Sequence, residues 1–553
     1  MTLPVSAPGT TLQNELVQSL NCIDKGTVKN INFMGFSLQA HTCDLLQTAV
    51  ADANGDFLIP PGADTAPEDA FSEVSMFYHV NRAYGMFRSW DPALNVNNGP
   101  IPTVSNLRLP QGFDTFDLNK IKDPNLALVP FQNAFFSPAN PIFSTVFGLN
   151  GGAMWFGQGP KKDYSYDGDV VYHELTHAVV DATLHLVGTP HLDAYGVSYS
   201  PGGMNEALAD YFSSALTGDP DVGEYASQDF DPSLPAIRSL ANPDACPTAI
   251  GGEVHQDATL FSGGLWDVRS VLSAEEATKL DIAVFSAMNG APSGDLAYEE
   301  LAELIVGEVE SALGSEVATA LTDAWTTRGV LPQCTRILEW LGTEMDGPEE
   351  LYSLWWAPGM NTTGVKNLGW TPGVVQFHAA LPANAATVTI QVSKSSLISG
   401  SGTGFGQPGT PFAPKLLVRF GDTPIQFTYG PFAGTEDLQV LEPERSGSKY
   451  FVTVPVPSPA PSGVYAMVAS AGEEDGGYNH FLVTTELGTE PPPDTSAGTT
   501  SSTATSGAGG SGATSTTEVD GCGCAVPGGE TRDARALAGL ALALAFAARR
   551  RKV

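Results

Sequence analysis

Twelve residues, Val170 to Asp181 (VVYHELTHAVVD), restrict the fold of this chain more than any other stretch. Val170, Val171, Leu175, Ala178, Val179 and Val180 give it the apolar character of a mostly buried helix. His173, Glu174 and His177 stand in the middle of that helix. Residues i and i+4 share a helix face, so both imidazoles can turn toward one metal ion. Glu174 sits beside the first histidine, where it can take a proton from an attacking water. The alternative is a helix with incidental histidines. With 9 His in 553 residues, a chance H-E-x-x-H is expected on the order of 0.01 times, and a third ligand decides the matter.

Three positions compete for that ligand. A histidine six residues after His177, as in the metzincin pattern, is missing, because Thr183 stands there. An aspartate, Asp193 in GTPHLDAYG, would suit an aspzincin-like site but sits one residue out of phase. Glu206 opens the next helix, in NEALAD, with Asp210 one turn further on the same face. From there Asp210 can accept the free ring N–H of a ligand histidine.

The rest of the chain is organised around this pair of helices. SEVSMFYHVNRAYGMFRSW carries Val74, Phe77, Val80, Tyr84 and Phe87 at helical spacing, and LALVPFQNAFF and GAMWFGQG read as strands. Gly263 to Leu331 is helical in pattern. We expect a weakly patterned N-terminal segment (1–45), a strand-rich lobe with the HELTH helix (46–200) and a helical lobe (201–335). After Cys334, runs such as ATVTIQV, KLLVRF, IQFTY and VYAMVAS alternate with Gly/Pro turns, which reads as a β-sandwich over 336–487. Residues 488–520 are Pro/Ser/Thr/Gly-rich and read as a flexible stalk.

Charge excludes one class of partner. Lys and Arg number 26 against 61 Asp and Glu, a formal net charge of −35, so nucleic acid is repelled. Cys22, Cys43, Cys246 and Cys334 form no C-x-x-C pair and allow three disulfide pairings. Cys22–Cys43 with Cys246–Cys334 is favoured, each bracing the start or end of a domain, with free thiols as the alternative. The N-terminal MTLPVSAPGTTLQNEL has no basic region leading into an apolar one, so no export signal is visible. A displaced start codon and a processed chain both remain open.

The C-terminal run from Ala536 to Ala548 is shorter than the ~17–25 residues of a transmembrane helix, yet it ends in Arg549-Arg550-Arg551-Lys552. With Cys522 and Cys524 before it, residues 521–553 resemble the MYXO-CTERM sorting signals of bacterial surface proteins. That resemblance implies an extracytoplasmic protein, secreted or anchored to the bacterial surface through its C-terminus.

Five blocks in order, across roughly residues 46–334, resemble the thermolysin-like and fungalysin-related gluzincin zinc metallopeptidases. The resemblance implies an α+β two-lobe catalytic domain followed by the β-sandwich. VVYHELTHAV and GGMNEALADYF match the metal blocks, with His173, His177 and Glu206 as ligands, Glu174 as base and Asp210 behind a ligand histidine. NAFF with AMWFGQG matches the edge strand that pairs with substrate, so Asn133 and the main chain of Ala134 would hold a peptide. AIRSLANP gives Arg238 at the scissile region, and GGEVHQDATLFSGG gives His255 at the oxyanion. Val170 and Ile237 would line the pocket for an apolar side chain. Asp169 matches a calcium ligand, and Asp221 and Glu224 are further calcium candidates.

Two departures stand out. Where the thermolysin branch has an aspartate five residues before the oxyanion histidine, this chain has Ile250, and Glu253 and Asp257 are the candidates to orient His255 instead. The auxiliary tyrosine is either Tyr195 or Tyr199. The implied protein is a monomeric zinc endopeptidase, with calcium as a second ion, cutting proteins and peptides on the amino side of bulky hydrophobic residues. The alternative is an inactive surface adhesin that retains the fold.

Overall fold

The computed structural model describes residues 11–33, 36–63, 65–112, 118–140, 145–186, 191–292, 294–339, 350–356, 372–394, 415–427, 437–446, 449–469 and 477–489. The expected C-terminal anchor, and the stalk from residue 490 on, lie outside them. The chain forms two compact units, one running up to His191 and again over Ser198–Thr335, the other comprising Leu192–Val197 and the chain from Arg336.

In the first unit a long hairpin, β1 (Val17–Phe33) and β2 (Phe36–Leu46), leads into helix α1 (Ala70–Trp90). Strands β3 (Ile101–Ser105), β4 (Ala134–Ser137) and β5 (Ala153–Phe156) complete a sheet in the order β2-β1-β3-β5-β4. The inner pairs are parallel and the outer pairs antiparallel. Most of the segment read as weakly patterned is therefore strand. Its alternation is broken by polar residues at buried positions, Ser19 and Asn21, and by a register shift between Ile23 and Thr27.

Helix α1 starts at Asp69, whose side chain accepts the Phe71 N–H, and buries all five of the apolar positions spaced for one face. Glu73 on the same helix is fully buried. Its carboxylate accepts the N–H groups of Thr48 and Ala49 and the side chain of Asn21, tying the chain after β2 to the helix.

The helices that follow are α2 (Gly168–Thr183), α3 (Ser200–Thr217), α4 (Val254–Arg269), α5 (Ala274–Gly290), α6 (Tyr298–Leu313) and α7 (Ser315–Thr327). Helix α2, which carries HELTH, packs against α1, α3 and β4. Asp167 caps it by accepting the N–H groups of Asp169 and Val170. Helix α3 has Pro201 in its first turn and stops at Gly218, whose φ of 91° is a left-handed conformation suited to glycine. Both favoured disulfides, Cys22–Cys43 and Cys246–Cys334, are formed.

The second unit holds two five-stranded sheets. One contains β6 (Ile337–Glu339), β8 (Gln376–Ala380), β10 (Lys415–Phe420), β11 (Gln439–Leu441) and β14 (Gly463–Ala469). The other contains β7 (Glu350–Trp356), β9 (Thr387–Lys394), β12 (Glu444–Ser446), β13 (Lys449–Pro455) and β15 (Gly477–Gly488). Of the runs read as strands, IQFTY is not one over its described residues, although Ile425 and Phe427 are buried. Strand β7 was not anticipated. Among the described residues no helix is long and apolar enough to cross a membrane.

Candidate metal centre

Helices α2 and α3 place a carboxylate against both HELTH histidines. His173 Nε2 lies 2.9 Å from His177 Nε2 and 3.2 Å from Glu206 Oε2, and His177 Nε2 lies 3.7 Å from the same oxygen. Three donors bound at ~2.0–2.1 Å to a tetrahedral zinc ion lie about 3.3 Å from one another, so this triangle suits such an ion. All three residues are at most 1% exposed. Both oxygens of Glu206 are buried without a conventional hydrogen bond, an arrangement that a cation held among the three donors would suit. His173, Glu174 and His177 also converge on one another as a potential metal-holding group.

The ring nitrogens facing away from this centre are held as well. Asn205 Oδ1 lies 2.8 Å from His177 Nδ1, and Asp210 Oδ1 lies 2.8 Å from His173 Nδ1. A proton kept on each Nδ1 leaves the Nε2 lone pair free for a metal. Arg238 clamps Asp210 from behind through Nε and Nη2, at 2.8 and 2.7 Å. Burial disfavours an ionised Asp210, but Arg238 and His173 outweigh it and hold the carboxyl well below its ordinary range. Glu206 is likewise disfavoured by burial, yet His255, His177 and His173 bring it down to about 2.

Burial disfavours the charged form of both ligand histidines. Their carboxylate neighbours lift His173 to about 9, whereas His177, with the weaker polar partner, falls to about 4.

Glu174 is fully buried, and its Oε2 accepts the Phe136 N–H at 2.7 Å. Phe136 lies on β4, the edge strand of the sheet. Its N–H turns away from β5, so by ladder alternation the N–H and C=O of Ala134 turn to the same side, which no described strand pairs with. Asn133 is buried beside them and its Oδ1 accepts the Ala134 N–H at 2.8 Å.

His255 opens α4, with its Nε2 3.4 Å from Glu206 Oε2 and its Nδ1 2.6 Å from Glu253 Oε1. Of the two acids considered for orienting it, Glu253 makes the contact. Asp257 instead accepts the Gly251 and Gly252 N–H groups and closes the turn before the helix. Burial would lower His255, but Glu206 and Glu253 raise it to about 10.

The remaining candidates fall at separate places. Val170 is buried in α2, and Ile237 is half-buried against Gly223. Asp169 shares a hydrogen bond with Glu224, and burial, that bond and the nearby Asp167 push it up to about 9. Glu224 keeps one buried oxygen without a partner. Asp221 is half-buried, its backbone N–H on Asp219. Asp193 is committed to Arg336, with both oxygens at 2.6 Å from guanidinium nitrogens. Tyr199 is buried at the start of α3, and Tyr195 is half-buried.

The sequence reading missed Asn205 and the Phe136 N–H. Asn205 adjoins Glu206 and could have been found by asking what fixes His177. A backbone donor leaves no mark in side-chain identity.

No protein-family model and no curated protein matches the chain. Among solved structures, it is similar to a precursor of protealysin, a metalloproteinase from Serratia proteamaculans, at 18% identity over 51% of this chain and 85% of that one, with a TM-score of 0.35. It is also similar to PliG of Aeromonas hydrophila, a periplasmic inhibitor of g-type lysozyme, at 11% identity over 28% of this chain and 98% of that one, with a TM-score of 0.14.

Proposed function

We propose that the chain is a zinc-dependent endopeptidase of the gluzincin type, exported and held at the bacterial surface. One observation carries this reading: His173, His177 and Glu206 present three buried donor atoms 2.9–3.7 Å apart, beside a buried Glu174 bonded to an open-edged strand. A bound zinc ion supplies Lewis-acid polarisation of the scissile carbonyl and lowers the pKa of a coordinated water.

The protein groups do the rest. Peptide substrate adds along the open side of β4, using the main chain of Ala134 and the side chain of Asn133. Glu174, aimed by the Phe136 N–H, takes a proton from the attacking water and passes it to the leaving nitrogen. His255, oriented by Glu253, donates to the developing oxyanion with help from Tyr195 or Tyr199. Arg238 holds Asp210 in place and lies at the scissile region. Val170 and Ile237 shape a pocket for the bulky apolar residue after the cleaved bond. Asp169, Glu224 and Asp221 hold calcium; the hydrogen-bonded Asp169–Glu224 carboxyl pair and the partnerless Glu224 oxygen support a cation there.

The proposed plan is a two-lobe catalytic domain divided near residue 200, a β-sandwich over 336–487, a stalk and a C-terminal anchor, in a monomer acting on proteins and peptides. The test is proteolysis of casein by purified residues 1–488, with zinc content measured, beside Glu174→Gln. Loss of the catalytic proton carrier should lower kcat by about 10²–10⁴ while zinc content holds. Equal activity in both proteins would sink the assignment of Glu174. Two zinc-loaded proteins without activity would favour the adhesin.

A further inference from the structure

His41, on β2, is 8% exposed, and both of its ring nitrogens face acceptors. Its Nδ1 lies 2.9 Å from the Leu126 carbonyl oxygen, and its Nε2 lies 2.7 Å from Asp24 Oδ1. The hairpin builds half of this arrangement. Its register shifts between Ile23 and Thr27, and Gly26 in that bulge has a φ of 68°. Asp24 Oδ1 also accepts the Gly26 N–H at 2.9 Å, which fixes the bulged carboxylate against His41.

The other acceptor comes from a distant part of the same unit. Leu126 precedes the short strand Leu128–Pro130, which pairs with Arg108–Pro110, and the chain then runs into Asn133 and β4. His41 thus ties the hairpin to the stretch that leads into the edge strand. Charged groups come from several elements. Glu68 Oε1 accepts the Asp24 N–H at 3.0 Å, and Arg108 lies in the field of both Asp24 and Glu68. Asp123 is turned to its own bend, where it accepts the Asn125 N–H, and Lys25 and Lys122 are exposed.

Proton counting decides the state of the ring. A neutral imidazole has one N–H and one lone pair, so it satisfies one of these acceptors and turns its lone pair on the other. The doubly protonated ring donates to both. Burial disfavours that charged form, but the Leu126 carbonyl and Asp24 outweigh it and hold His41 above its ordinary 6.5.

We propose that His41 is a pH-sensitive clasp, closed by protonation, that fastens the segment around Leu126 to the β1–β2 hairpin. Because the folded value lies above the unfolded one, the clasp contributes fully below pH 6.5 and is lost as pH rises through the folded value. None of its groups belongs to the metal centre, so it stands or falls separately from that reading.

The test uses the full chain with carbon-labelled histidine, titrated by NMR, with His41→Gln identifying the His41 resonance. Hydrogen exchange of peptides from residues 118–130 is measured beside it at about pH 5.5 and about pH 8.5, corrected for intrinsic exchange rates. Peptides from α6 report on loosening of the whole unit. In Asp24→Asn the neutral ring is satisfied, since the amide donates to Nε2 while the Nδ1 proton stays on the Leu126 carbonyl.

The expected result is a His41 titration above 6.5 and about tenfold less protection of the segment at the higher pH. Protection of α6 should hold steady, and in Asp24→Asn the segment should no longer respond to pH. Titration at or below the ordinary value, equal protection of the segment at both pH values, or an equal loss in α6 would each overturn the clasp. So would a wild-type pH response in Asp24→Asn. Should that variant not fold, the wild-type titration and exchange still decide.

Discussion

At the scale of single residues, buried carboxylates behave according to what surrounds them. Asp163 is 1% exposed, and burial raises its carboxyl to about 6, although Ser72, Gln158 and the Ser165 N–H all donate to it. Its ordinary value is 3.8. Between about pH 4 and 6 the folded protein therefore keeps a proton that the unfolded chain has lost, and stability falls as pH rises through that window. The effect for this group is on the order of 3 kcal/mol. Asp163→Asn should flatten that part of the profile, read as the urea midpoint at successive pH values; an unaltered slope would place the proton on another group. Asn205 makes a second case. Its Oδ1 is the partner of His177 Nδ1, so Asn205→Ala should weaken zinc binding about 10–100-fold in a dye competition. Unchanged affinity would mean that the packing of α2 orients the imidazole without it.

At the scale of elements, close packing sets what each helix tolerates. Gly264 on α4 faces Trp325 of α7, and a Cβ there would lie 2.4 Å from the indole Cδ1. Trp325 is fully buried, with its Nε1–H on the Phe261 carbonyl, so it has little room to yield. Gly264→Ala should cost about 1–3 kcal/mol by overpacking, seen as a lower Tm. A wild-type Tm would mean that α7 shifts to make room. Helix α5 is held differently, by a capping box in which Ser273 accepts the Glu276 N–H and Glu276 accepts the Ser273 N–H. The capping box is a local device, and α5 was legible in the pattern. The β1–β2 hairpin was not, because buried positions of β1 hold the polar Ser19 and Asn21 and its register shifts between Ile23 and Thr27, which breaks the period-2 signal.

At the scale of the molecule, the two disulfides close loops of unequal length. Cys246–Cys334 spans 88 residues and Cys22–Cys43 spans 21. Chain-entropy arithmetic gives about 4–5 kcal/mol for the longer loop and about 3 kcal/mol for the shorter. Cys246→Ser with Cys334→Ser should therefore lower the urea midpoint more than Cys22→Ser with Cys43→Ser; the opposite order would mean that native contacts outweigh loop length. HELTH could be read as a metal site from sequence alone, because i and i+4 share a helix face whatever the rest of the chain does. The helical stretches and the β-rich C-terminal half could be read for the same reason, since periodicity is local. The out-of-phase place of Asp193 and the resemblance already put Glu206 forward as the oxygen beside the histidines, but local rules did not distinguish Glu253 from Asp257 as the partner of His255. They gave no sign that Leu192–Val197 belongs to the second unit. Each of those depends on contacts between residues far apart in the chain, such as Arg336 with Asp193, 143 positions away. Only the folded chain brings such groups within hydrogen-bond range.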